Sequence, residues 1–87
     1  HSENPVKTDN ENVLSTVYLK DNTALLCLYN FSNKKEKFSL NINKTLLGFD
    51  IMKAGEVKFG KSRKRKTDIN KSFSLGKRKG IIIELKG

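Results

Sequence analysis

Polar and apolar residues alternate along much of this chain with a period of two. Lys37-Phe38-Ser39-Leu40-Asn41-Ile42-Asn43 alternates without a break. Every second side chain of an extended strand lies on one face, so this segment predicts a strand with one wet side. Leu14-Ser15-Thr16-Val17-Tyr18-Leu19 is rich in β-forming residues, with Val13, Val17 and Leu19 on one side. Ala24-Leu25-Leu26-Cys27-Leu28-Tyr29 is apolar throughout, which predicts a strand buried on both faces or in the middle of a sheet. Leu47, Phe49 and Ile51 share one face of a further strand, and Val57 and Phe59 alternate in a short one. Ile69, Phe73 and Leu75 mark another. Ile81-Ile82-Ile83-Glu84-Leu85 is the last, with Ile81, Ile83 and Leu85 facing in.

Turn chemistry separates these runs. Asp21-Asn22 lies between the first two, and Asn tolerates the positive φ of tight hairpins. Ser32-Asn33-Lys34-Lys35 and Ala54-Gly55 mark later turns, and Gly60, Gly76 and Gly80 bracket the last loops. Short runs at a spacing of about 8–12 residues predict an all-β fold, an antiparallel β-sandwich of about seven to eight strands of Greek-key type. Its expected core is Val17, Leu19, Leu26, Leu28, Phe38, Leu40, Ile42, Phe49, Ile51, Phe73, Ile81 and Ile83. Thr45 to Gly48 has room for a helical turn, and no segment supports a long amphipathic helix. Residues 1–12 are polar and hold the only Pro; they read as a polar linker or cloning remnant ahead of a domain spanning 13–87.

Composition bounds the function. The chain has 87 residues, enough for one domain with a modest core. Apolar runs fall far short of the ~20 residues that a membrane-spanning helix needs. The N-terminus is polar, without the apolar stretch of a signal peptide. It does not begin with Met, which fits a fragment excised from a longer protein. One Cys makes no internal disulfide, and one His, at position 1, leaves no zinc constellation of the usual kind. No cofactor or metal is expected.

Charge changes the picture more. The formal net charge is +9. Lys61, Arg63, Lys64, Arg65 and Lys66 contribute five positive charges, and Lys77, Arg78 and Lys79 three; without those eight the net charge is +1. These two segments are the candidate polyanion-binding residues, since basic loops neutralise phosphates or sulfates. Against that, they flank a strand from Ile69 to Leu75 that spans about 20 Å, which places them at opposite ends of the domain. Aromatic side chains for stacking bases are missing nearby. The bland alternative is a pair of solvated loops.

Six segments, taken in order, carry a family resemblance. Ala24 to Tyr29 runs into the corner Asn30-Phe31-Ser32, and the alternating Phe38-Ser39-Leu40-Asn41-Ile42 follows. Then come Phe49-Asp50 and Gly55-Glu56-Val57, and finally Phe73-Ser74-Leu75 and Gly80-Ile81-Ile82-Ile83-Glu84-Leu85. Together they resemble the small C-terminal β-sandwich appended to many glycoside hydrolases, the (β/α)8-barrel enzymes of the α-amylase and α-galactosidase kinds. Two features depart from that pattern. Gly76-Lys77-Arg78-Lys79-Gly80 stands where those domains usually have Pro before an aromatic or His, and Lys61 to Lys66 is unusually basic. In such enzymes the catalytic carboxylates sit on the barrel. The resemblance therefore implies a non-catalytic domain that packs on the catalytic domain of its own parent chain and stabilises it. The alternative, from the charge, is a free-standing basic β module that binds nucleic acid or a sulfated polymer.

The residues themselves offer little catalytic chemistry. Glycoside hydrolysis needs two carboxyls about 5–10 Å apart. Asp50, Glu56, Asp68 and Glu84 are the candidates, and Asp50 and Glu56 bracket the expected turn. The simpler reading has Asp50 at a corner and Glu56 in solvent. No His falls within the folded region, which excludes Ser/His/Asp and Cys/His arrangements. Cys27, in the most apolar strand, reads as a small core hydrophobe. Sugar platforms usually need exposed aromatics; Trp is absent, Tyr29 lies in the run expected to be buried, and Tyr18 shares a face with Thr16 and Lys20.

Overall fold

A computed structural model describes residues 4–57 and 64–87. Among them are nine strands and one helical turn: β1 (Val6–Thr8), β2 (Val13–Lys20), β3 (Thr23–Asn30), β4 (Glu36–Phe38), β5 (Leu40–Ile42), α1 (Lys44–Leu47), β6 (Lys53–Val57), β7 (Lys64–Lys66), β8 (Phe73–Leu75) and β9 (Gly80–Lys86). The large layer is a five-stranded sheet in the order β2-β3-β9-β6-β7, antiparallel at every pair. The second layer consists of two short pairs, β1-β5 and β4-β8, with α1. The fold is an all-β antiparallel sandwich.

The core lies between the layers. Ala24, Leu26 and Leu28 of β3 and Ile83 and Leu85 of β9 meet Val6 of β1, Phe38 of β4, Leu47 of α1 and Leu75 of β8. Fully buried side chains of this size contribute ~1.5–3 kcal/mol each. Phe38 and Phe73 stack across the β4-β8 pair with ring centroids 5.6 Å apart.

Several expectations change. Lys37 to Asn43 is two strands in different sheets, because the partner switches at Ser39: β4 pairs with β8, and β5 with β1. Ser39 donates its N–H to Asp9 Oδ1 at 2.7 Å, and Asp9 N–H donates back to Ser39 O at 3.2 Å. Leu47 to Ile51 is not a strand. Asn43 Oδ1 caps α1 by accepting Leu46 N–H at 3.1 Å, and Gly48 ends the turn at φ +89°, returning its N–H to Lys44 O. Ala54-Gly55 is not a turn but the middle of β6. The hairpin residue with positive φ is Asp21, at +53°, rather than Asn22.

Val6–Thr8, within the stretch read as linker, pairs with β5 and buries Val6 completely. Leu19, expected in the core, is 49% exposed. It lies at the far end of β2, where only an open groove with Pro5 and Leu46 adjoins it. Val13, Ala24, Leu47 and Leu75 are core residues in its place. Lys64–Lys66, expected to be loop, is β7, an edge strand paired with β6. Phe59, Gly60, Lys61 and Arg63 lie outside the described residues. No helix among the described residues is long and apolar enough to cross a membrane.

Candidate functional site: the outer face of the large sheet

The side chains of the five-stranded sheet that point away from the core follow from its register. One cross-strand row is Leu14, Tyr29 and Gly80; the next is Thr16, Cys27, Ile82 and Val57. A third row is Tyr18, Leu25, Glu84, Gly55 and Lys66, and a fourth is Lys20, Thr23, Lys86 and Lys53. The face thus grades from apolar to basic. Tyr18 is 63% exposed, Leu14 56%, Tyr29 41% and Leu25 39%. Isolated exposed apolar residues are ordinary; two cross-strand pairs on one face, Leu14–Tyr29 and Tyr18–Leu25 with Thr16 and Cys27 between them, are not.

This face corrects the reading of Ala24 to Tyr29. The segment is an interior strand of its sheet, between β2 and β9, but buries only the side carrying Ala24, Leu26 and Leu28. Cys27 is a free, half-buried thiol on the outer side, not a core residue. Tyr29 is exposed beside Tyr18's half of the sheet. Alternation did not reveal the outer face, because both parities of β3 are apolar. That double parity was itself the available signal.

At the basic end, Lys86 and Lys53 stand directly opposite one another. Like charges so placed repel. Glu84 relieves this, with its Oε1 3.8 Å from Lys86 Nζ.

The sequence-predicted basic residues separate. Of the first segment, Arg65 and Lys66 are exposed on β7 and Lys64 pairs in register with Val57; Lys61 and Arg63 lie outside the described residues. Lys77, Arg78 and Lys79 form an exposed turn closed by Lys79 N–H donating to Gly76 O at 3.1 Å. Arg78 takes φ +57° and its Nη2 donates to Asn33 Oδ1 at 3.2 Å. Strand spacing puts Lys66 and Lys79 about 20 Å apart.

The carboxylates do not converge either. Glu56 falls on the core-facing register of β6, opposite Ile83, whereas Glu84 lies on the outer register of β9. Asp50 is exposed in the segment before β6. Asp68 is exposed in a separate turn, accepting Asn70 N–H at 2.9 Å. Since residues 53–57 are one extended strand, Asp50 and Glu56 are held apart instead of bracketing a turn.

Sequence reasoning missed the most highly bonded polar cluster. Asn30 is completely buried; its Nδ2 donates to Lys34 O, Leu75 O and Gly76 O at 2.8, 3.0 and 3.1 Å. Its Oδ1 accepts Ser32 N–H at 2.9 Å. Beside it, buried Glu36 accepts from Asn10 Nδ2 at 2.8 Å, Ser32 Oγ at 2.9 Å and Asn12 Nδ2 at 3.2 Å. These donors, Asn10 foremost, then Ser32, hold the Glu36 carboxyl below its ordinary pKa against the opposing effect of burial. Asn12 and the charge of Lys34 act in the same direction as the first two. The cluster ties the Asn30-Phe31-Ser32 corner to both ends of the chain. It is satisfied within the protein and works as a staple.

No curated protein and no solved structure matches the chain. A family model does match, over residues 1–86, and its description is the C-terminal domain of glycoside hydrolase 123. With an all-β sandwich beneath that match, the chain belongs to the glycoside hydrolase 123 C-terminal domain family.

Proposed function

We propose that this domain is a non-catalytic part of a larger glycoside hydrolase, and that it packs against the enzyme's catalytic domain and stabilises it. The catalytic domain would be a (β/α)8 barrel, as the corner Asn30-Phe31-Ser32 and the later segments suggested by resemblance. The observation that carries the non-catalytic role is the scatter of carboxylates: Glu56 and Glu84 fall on opposite registers of the sheet, and Asp50 and Asp68 in separate segments. Paired acid and base chemistry on a glycosidic bond requires two carboxyls facing one another.

The test uses the complete enzyme. Asp50→Asn, Glu56→Gln, Asp68→Asn and Glu84→Gln should each leave kcat unchanged. Deleting the domain should lower the Tm of the remainder and raise its aggregation. Loss of turnover in one carboxylate variant that still folds would overturn the non-catalytic role. An unchanged Tm after deletion would overturn the stabilising role.

A further inference from the structure

We infer that the outer face of the five-stranded sheet is the surface that docks on the catalytic domain, and that it meets an apolar patch with an acidic border. This placement rests on the accessory-domain reading above and specifies its surface. Leu14, Tyr18, Leu25 and Tyr29 present the apolar part, and Lys53 and Lys86 the basic border.

Three observations point the same way. The first is size. Five strands about 4.8 Å apart and about six residues long give a face of about 19 by 20 Å. That is about 400 Å², in the range of one side of an interface between domains of one chain, about 300–750 Å².

The second is where the chain enters. In a C-terminal domain the catalytic domain lies upstream, so the connection arrives ahead of Val6. That segment is fastened to β2: Asn4 Nδ2 donates to Ser15 O at 2.7 Å, and Ser15 Oγ donates to Val6 O at 2.8 Å. β2 is the edge strand that carries Leu14 and Tyr18. Ser15 is on the core-facing register, opposite Leu28, so the upstream chain reaches the open edge of β2 from the core side, and the apolar rows begin on the other face of that same edge strand.

The third is chemistry. Leu14 stands opposite Tyr29, and Leu25 opposite Tyr18. Aliphatic side chains alternating with tyrosine suit the packed centre of a protein interface, where aromatic residues are enriched and charge is depleted. Lys20, Lys53 and Lys86 lie at one margin and Lys66 on the β7 edge, where a polar rim belongs, and they call for carboxylates opposite.

Hydroxyl-radical footprinting of the complete enzyme tests this. Met52, 75% exposed and away from the apolar rows, is the internal reference. Tyr18 should be protected while Met52 is modified. In the Leu14→Glu/Leu25→Glu enzyme, Tyr18 modification should rise about fivefold or more, since the packed centre of the interface is lost. Lys20→Glu/Lys53→Glu changes only exposed positions and should raise it as well; this second variant decides the matter if the first misfolds. Tyr18 modified freely in the unaltered enzyme would overturn the docking face, even where domain deletion lowers Tm and so upholds the accessory role. Protection that vanishes on dilution would assign the face to a second copy, and protection only on adding dextran or heparin would assign it to a polymer; either overturns the inference.

Discussion

Asn10 Nδ2 lies 2.8 Å from Glu36 Oε1, so a residue in the polar segment before β2 helps to hold a buried carboxylate at the start of β4. No cation makes a close contact with that carboxylate among the described residues; its partners are two amides and a hydroxyl. Donors of this kind favour the ionised carboxylate, because protonation turns one of its acceptor sites into a donor.

The folded-state pKa of Glu36 is lowered, so its contribution to stability is present above the unfolded value, about 4.3, and is lost as pH falls through the folded value. Thermal melts should show a loss of Tm over that acidic window. Glu36→Gln should flatten the loss. At pH 7 the same variant should melt below the parent, because its NH2 takes the place of one oxygen and faces the donor of either Asn10 or Asn12. A Tm profile unchanged by Glu36→Gln would refute this role.

Asn30→Ala removes the donor shared by three backbone carbonyls in a buried site. Leaving buried acceptors without a partner costs about 1–3 kcal/mol. Urea denaturation should show the loss, with Asn30→Asp at least as damaging, since a carboxylate cannot donate to those oxygens.

Gly48 ends α1 at φ +89°, with open space where a Cβ would stand. Gly48→Ala should therefore cost only the backbone strain of the left-handed region, about 1–2 kcal/mol. Gly48→Asn should cost less, because Asn visits that region more readily. Equal stability of the Ala variant in urea would show that the turn can be rebuilt without positive φ.

Replacing Lys77, Arg78 and Lys79 with Ser removes exposed charges and the Arg78–Asn33 hydrogen bond, and should change stability by about 1 kcal/mol or less. Heparin retention should be weak and fall steeply with salt, and the triple variant should reduce the slope by up to about three units. Tight retention at physiological salt, abolished in the triple variant, would favour the polyanion-binding alternative.

The long strands were legible because their patterns were long. β2, β3 and β9 each span seven or eight residues, and their ends fall close to the expected places. The short elements were not. Val6 is the one strong apolar signal in β1, too little to separate a strand from a linker. Gly55 suggested a turn, yet it sits opposite both Glu84 and Lys66 inside the sheet. Phe49 and Ile51 do pack against the core, but from a coil that follows the Asn43 cap and Gly48, so their spacing imitated a strand. The outer face was hidden for a different reason. Hydrophobicity reports that Leu25 and Leu26 both avoid water; it does not say that one is covered within the domain and the other is left on its surface.

The position of β9 between β3 and β6 has a kinetic consequence. β9 leaves the ribosome after the other eight described strands, and it is the one that joins the two halves of the large sheet. Until residues 80–86 are available, the β2-β3 hairpin and the β6-β7 pair each keep an unpaired inner edge. Such edges invite pairing with other chains. The domain should therefore complete its sheet only once residues 80–86 have emerged, and a nick or premature stop before Gly80 should leave fragments that aggregate instead of a smaller folded unit.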